Sequence, residues 1–269
     1  ANALDFEIIL SPEFAAKPIF AEIVSKRNRN FAAGELPLDI SPPTDDNPFF
    51  FNMLGFRDIW DSELTEKGAH FNLQAVYVLI KLLLIATILT LLFFILPLVV
   101  RRKTTRMAFS FPLLLYFGGI GLGFMLIEIS QMQRLIIFLG HPTYGLAVVL
   151  SSLLLSSGIG SYLSGRISGT VRLTEKLFFL LFILIIYGVG TTYIIDIFEG
   201  SSTFIRVLAA FLLLFPMGIF MGMALPIGMR IAAEKWDELT PWLWAINGTT
   251  SVTGSVLAVA VSLSWGISA

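Results

Sequence analysis

The chain has 269 residues, of which 56% are hydrophobic and 14% charged, with a mean hydropathy of +0.82 and a formal net charge of −1. Soluble domains carry about a quarter charged residues, so this composition is not that of an ordinary soluble protein, and the near-zero charge gives no footing for a nucleic-acid partner. Cysteine is absent and the two histidines, His70 and His141, lie far apart, which removes disulfides, thiol chemistry and cysteine metal sites and leaves no metal site to expect.

Residues 1–71 have mixed polarity and are expected to form a small mixed α/β soluble remnant. Leu4–Leu10, "LDFEIIL", has strand character. Ser11-Pro12-Glu13 is a helix start, with a capping Ser, a Pro in the first turn and an acid near the positive end of the dipole. That helix is expected to run to about Lys26. The run "ELPLDISPPTDDNP" is a loop, since Pro and Asp interrupt both periodicities. The aromatic, amphipathic stretch that follows, "FFFNMLGFRDIW", suits a membrane interface. The chain opens on Ala1 without a signal-peptide pattern and closes inside an apolar run, so a piece of a longer polypeptide is expected.

From residue 72 to 269 the chain is apolar enough for lipid. A bilayer core needs about 20 apolar residues per helix, and six runs of that kind occur, at 72–100, 108–131, 143–165, 176–196, 203–229 and 242–268. The expected class is therefore an all-α integral membrane protein with a bundle of six transmembrane helices; the alternating pattern of a β-barrel is missing. Basic residues gather in 101–106, 166–176 and 230–241, and these connections are expected on the cytoplasmic side, with the N-terminal segment outside by parity. Gly119 and Gly123, Gly218 and Gly222, Ser161 and Gly165, and Ser251 and Ser255 are small pairs at helix-packing spacing. Pro216 and Pro226 are expected to break the fifth run.

Polar residues inside these runs are the candidates for function. Glu128, Gln131 and Arg134 follow one another at i, i+3 and i+6, about 9 Å from first to last by helical rise. An acid in a membrane helix is a functional candidate by default. Glu128 as the negative group, Gln131 as a neutral ligand and Arg134 as a gate would make a site for a cation or polyamine. A structural interhelical network, with Arg134 at the membrane edge, accounts for the same residues. Asn247 fits either packing across helices or the lining of a polar cavity. Asp45 and Asp46 fit either a turn or an acidic contact at the mouth of a soluble-domain site.

Three stretches together carry a resemblance: "PPTDDNPFFF" at 42–51, "GFMLIEISQMQRLIIFLGHPTYGLAVVLSSLLLSSGIGSYLSGR" at 123–166, and "MGMALPIGMR" with "WLWAINGTTSVTGSVLA" at 221–230 and 242–258. The chain resembles the membrane module of bacterial spermidine-synthase-like membrane proteins, with the resemblance covering most of residues 36–262. The middle stretch carries the pattern of Glu128, Arg134, Gly140, Tyr144, Gly158, Gly160 and Arg166. The resemblance implies an inner-membrane location and a Rossmann-type soluble domain of the aminopropyltransferase or methyltransferase kind. No glycine-rich nucleotide turn lies in residues 1–71, so no catalytic residue and no cofactor is assigned to this chain. Decarboxylated S-adenosylmethionine or S-adenosylmethionine would belong to a domain upstream. Whether the parent is an enzyme stays open, as do a secondary transporter and a non-catalytic subunit of a membrane complex with other membrane subunits as partners.

Overall fold

The structure is a computed structural model that describes residues 16, 42–49, 70–92, 111–166 and 173–267. The chain divides into two compact units, Ala1–Val78 and Leu79–Ala269. Nearly all of the expected α/β remnant lies outside the described residues, including the strand at Leu4–Leu10 and most of the aromatic segment. Ala16, expected inside a helix, is in a bend, and 42–49 form a short irregular turn. Among the described residues there is no strand, so nothing supports an α/β remnant.

Six helices are described: α1 (His70–Thr90), α2 (Phe111–Leu139), α3 (Pro142–Ser164), α4 (Leu173–Phe198), α5 (Thr203–Trp236) and α6 (Thr240–Trp265), with a single 3₁₀ turn, Asp237–Leu239, before the last. Four of them, α2, α3, α5 and α6, are long and apolar enough to cross a bilayer. Among the described residues, four of the six expected spans are thus long and apolar enough. The apolar parts of α1 and α4 are shorter, Tyr77–Thr90 and Ile185–Phe198. The first turns of α1 hold His70, Asn72 and Gln74, and α4 opens with Thr174, Glu175 and Lys176.

Helix boundaries follow local chemistry. The second helix runs eight residues past its expected end, because nothing between Gln131 and Leu139 breaks it: Gln and Arg are good helix formers. It stops at Gly140, whose φ of +74° only glycine adopts without strain. The Gly140 N–H donates to the Ile136 and Ile137 carbonyls, closing the last turn. His141 then caps α3, with its Nδ1 accepting from the Thr143 N–H at 3.2 Å, and Pro142 occupies the first turn. Contrary to expectation, α5 is continuous through Pro216 and Pro226. Membrane helices tolerate proline where neighbouring helices and side chains satisfy the freed backbone groups, and two residues before Pro226 the Tyr116 hydroxyl of α2 donates to the Ala224 carbonyl at 2.7 Å.

The packing reduces to two parallel pairs. In one, α2 and α6 run side by side in the same direction, since Phe117 meets Asn247, Gly121 meets Ser251 and Gln133 meets Ser262 in ascending order. In the other, α3 and α5 are parallel: Ser156 lies at Gly218, Ser157 at Gly222 and Ser164 at Arg230. The two pairs are antiparallel to each other, because Tyr116 at the start of α2 reaches Ala224 late in α5, and Phe138 at its end reaches Arg206 early in α5. A core of Leu135, Phe138, Val149, Leu153, Leu214, Met217 and Met221 joins α2, α3 and α5. The starts of α2 and α6 and the ends of α3 and α5 therefore share one end of the bundle, and the sequence places the basic connections there.

Outward surfaces are apolar. Leu115, Leu154, Ile197, Phe204 and Leu212 are each at least 60% exposed. Soluble monomers do not carry such continuous apolar surface, whereas a bilayer covers it at no cost. The environment of this bundle is lipid.

Candidate functional site

Polar side chains on α2 define the site, and they divide by what they touch. Toward the end of the helix, Gln133 Nε2 donates to Ser262 Oγ of α6 at 3.0 Å. One residue on, Arg134 Nε donates to the Ile267 carbonyl at 3.2 Å, just past the end of α6. There Gly266, at φ +95°, turns the chain so that Ile267 is buried. Arg134 thus lies inside the helix, past the expected end of the run at 131. At the same end, Arg206 of α5 donates from Nη1 to the Phe138 carbonyl at 2.8 Å, which serves one of the orphan carbonyls at the α2 terminus.

Nearer the start of α2, the ties come from α6. Asn247 Nδ2 donates to the Phe117 carbonyl at 3.1 Å, and Ser251 Oγ to the Gly121 carbonyl at 3.2 Å. Asn247 therefore crosses between helices. Such bonds contribute about 1 kcal/mol each in a membrane, where the alternative is an unpaired group in hydrocarbon.

Glu128 and Gln131 stand apart from these ties. At about 100° per residue, Glu128 lies within about 20° of Phe117, Gly121 and Leu135 around the α2 axis, and all three of those are buried. The carboxylate is therefore placed along the inward stripe of the helix, half-buried itself. Among the described residues no hydrogen-bond donor or cation reaches it. Gln131, one turn further and 6% exposed, carries an Oε1 that is buried without a hydrogen-bond partner. The rise between the two is about 4.5 Å.

Asp45 and Asp46 belong to the first unit and are exposed in a turn. That turn is closed by reciprocal backbone bonds between Thr44 and Asn47 of 3.2 and 3.0 Å, with the Thr44 hydroxyl also accepting from the Asn47 N–H at 3.1 Å. Among the described residues no three His, Cys, Asp or Glu side chains converge to hold a metal ion.

Sequence reasoning missed Ser262 and Arg206 as partners of α2. A lone serine in an apolar run carries no signal by itself. Arg206 falls inside the expected run 203–229, and nothing in that pattern shows that its side chain reaches the end of α2. Compared with known protein families, with characterised proteins and with solved structures, the chain matches none. Fold and site together define an α-helical membrane bundle in which, among the described residues, polar side chains tie α2 to α6 and to α5.

Proposed function

We propose that this chain is the membrane module of a spermidine-synthase-like protein, anchoring and scaffolding a soluble aminopropyltransferase- or methyltransferase-like domain at a bacterial inner membrane. In this reading all six hydrophobic helices cross the bilayer, α1 and α4 included; at 21 and 26 residues they extend about 31 and 39 Å by helical rise, enough for a hydrocarbon core of about 30 Å. The adenosyl cofactor is held outside these residues, and no catalytic group is assigned within them. The observation that supports a scaffold is the pairing of Gln133, Arg134, Asn247, Ser251 and Arg230 with groups on neighbouring helices. These ties fix helices against one another.

The test uses the intact protein. It is expected to stay in the membrane fraction after alkaline extraction and to bind S-adenosylmethionine or its decarboxylated form through its soluble part. Gln133→Leu and Asn247→Leu are expected to lower thermal stability while leaving that binding unchanged. An intact protein with no adenosyl-binding domain overturns the assignment.

A further inference from the structure

We propose that Glu128 and Gln131 form an intramembrane binding site for a small cation that donates hydrogen bonds, an ammonium or short alkylammonium group. This goes beyond scaffolding, since a site that only ties helices would have its partners already.

The starting point is the contrast with the rest of the bundle. Polar side chains in lipid find partners, because an unsatisfied group costs several kcal/mol or so. Gln133, Asn247, Ser251 and Tyr116 each have one across an interface. Serine and threonine hydroxyls at 152, 156, 191, 249 and 250 bond back to their own helices. Among the described residues, three buried side-chain atoms lack a partner: Gln131 Oε1, Arg206 Nε and Thr240 Oγ1. Arg206 and Thr240 lie in the first turns of α5 and α6, at the ends of the bundle. Gln131 does not; it is well inside α2, with Glu128 one turn before it.

What is missing there has a definite chemistry. A carboxylate is an acceptor only, and the unmet atom of Gln131 is also an acceptor. The absent group is therefore a donor, and the carboxylate charge calls for a positive one. A bare divalent ion is a poor match, since calcium and magnesium take six or more oxygens, and no cluster of three acidic or imidazole ligands exists among the described residues. An ammonium needs few acceptors, and charge-assisted N–H···O bonds to a carboxylate and an amide suit it. Size is limited on both sides. Toward the start of α2, Gly121 and Gly254 bring α2 and α6 into backbone contact. Toward its end, Leu135 and Phe138 close into the core. Close helix contact on one side and packed core on the other favour a compact headgroup over a long polycation.

The intact protein in lipid nanodiscs is titrated calorimetrically with methylammonium chloride, NaCl, KCl and a linear diamine. Methylammonium is expected to bind, with sodium and potassium at least about tenfold weaker. Glu128→Gln is expected to lose at least about tenfold in affinity, and Gln131→Met about three- to tenfold, as for removal of a charge-assisted or neutral hydrogen bond. Both variants are to keep the wild-type unfolding profile without ligand; should Glu128→Gln not fold, Glu128→Asp, which keeps the charge but draws it back by one methylene, is expected to weaken binding as well. Equal binding of sodium, full binding by Glu128→Gln, or binding of the diamine alone overturns the proposal. So does a stability that depends on pH with no response to methylammonium, which would mean that a protonated Glu128 itself donates to Gln131.

Discussion

The two parallel helix pairs have the same architecture and different chemistry. Between α3 and α5 the contact is steric. Ser152, Ser156, Gly160 and Ser164, with Val149 and Leu153, belong to the buried stripe of α3, and the hydroxyls of Ser152, Ser156 and Ser164 bond to carbonyls of their own helix. A back-bonded serine presents a small, satisfied surface, so backbones close in with no polar group left over. Gly218 and Gly222 of α5 face that stripe. One charged tie, from Arg230 to the Ser164 carbonyl, marks the end of the interface. Between α2 and α6 the contact is polar along its length, with Asn247, Ser251, Gln133 and Arg134 reaching across to the other helix or, for Arg134, to the segment just past it. Lipid gives little hydrophobic drive between helices, and the molecule uses both remaining devices, close approach in one pair and directed hydrogen bonds in the other. The unpaired acceptors of Glu128 and Gln131 lie on the helix that belongs to the polar pair.

Breaking the steric pair is expected to have the largest effect. A methyl group added at Gly160 meets the Ile219 backbone, and one at Gly222 meets the Ser157 backbone. Neither neighbour is a movable side-chain tip, so Gly160→Ala and Gly222→Ala are each expected to destabilise by about 3 kcal/mol. Thermal unfolding in detergent or nanodiscs measures this; a change below about 0.5 kcal/mol, the range of neutral surface substitutions, would mean that α3 and α5 are not in backbone contact. Loosening the polar pair is expected to cost less. Asn247→Leu removes the donor to the Phe117 carbonyl, and about 1 kcal/mol is expected from one interhelical bond. The sharper comparison is Gln133→Leu against Gln133→Leu with Ser262→Ala. If the 3.0 Å bond carries the interaction, the second change adds almost nothing to the first. Full additivity of the two would place the contribution elsewhere. Smaller still is the effect of Ser156→Ala, which deletes a bond inside α3 and none between helices; a change within about 0.5 kcal/mol is expected.

Helix content was legible from composition alone, because long apolar runs in lipid have one regular solution. The position of α3 was legible in detail, from Gly140, His141 and Pro142 at its start. The end of α2 was not. Gln131, Gln133 and Arg134 look like an exit from the membrane, and only the placement of Ser262, Ile267 and the α6 end explains how that polar run stays inside a helix. Pro216 and Pro226 misled for the same reason: proline is costly in an isolated helix, and here packing overrides the local preference. Glu128 and Gln131 were legible as candidates. Their lack of partners was not, since it depends on how α3, α5 and α6 pack on α2.

The weakest expected effect discriminates best between sequence pattern and structure. Gly119 and Gly123 form the most recognisable small-residue motif in the chain, yet a methyl group at either meets nothing within 4 Å. The glycine that matters is Gly121, between them and on the opposite side, where an added methyl would run into the Asn247 carbonyl and the Thr250 and Ser251 hydroxyls. A helix interface reads angular position, and a residue two places along is turned by about 200°. Gly119→Ala and Gly123→Ala are therefore expected to leave stability within about 0.5 kcal/mol, with any change toward greater stability from the better helix propensity of alanine. Gly121→Ala is expected to destabilise by about 2 kcal/mol through overpacking. Unfolding curves of the three variants, taken side by side, decide it. A loss at Gly119 or Gly123 matching that at Gly121 would mean that the motif faces another helix after all, and that the α2–α6 pair is not the contact that fixes the orientation of α2.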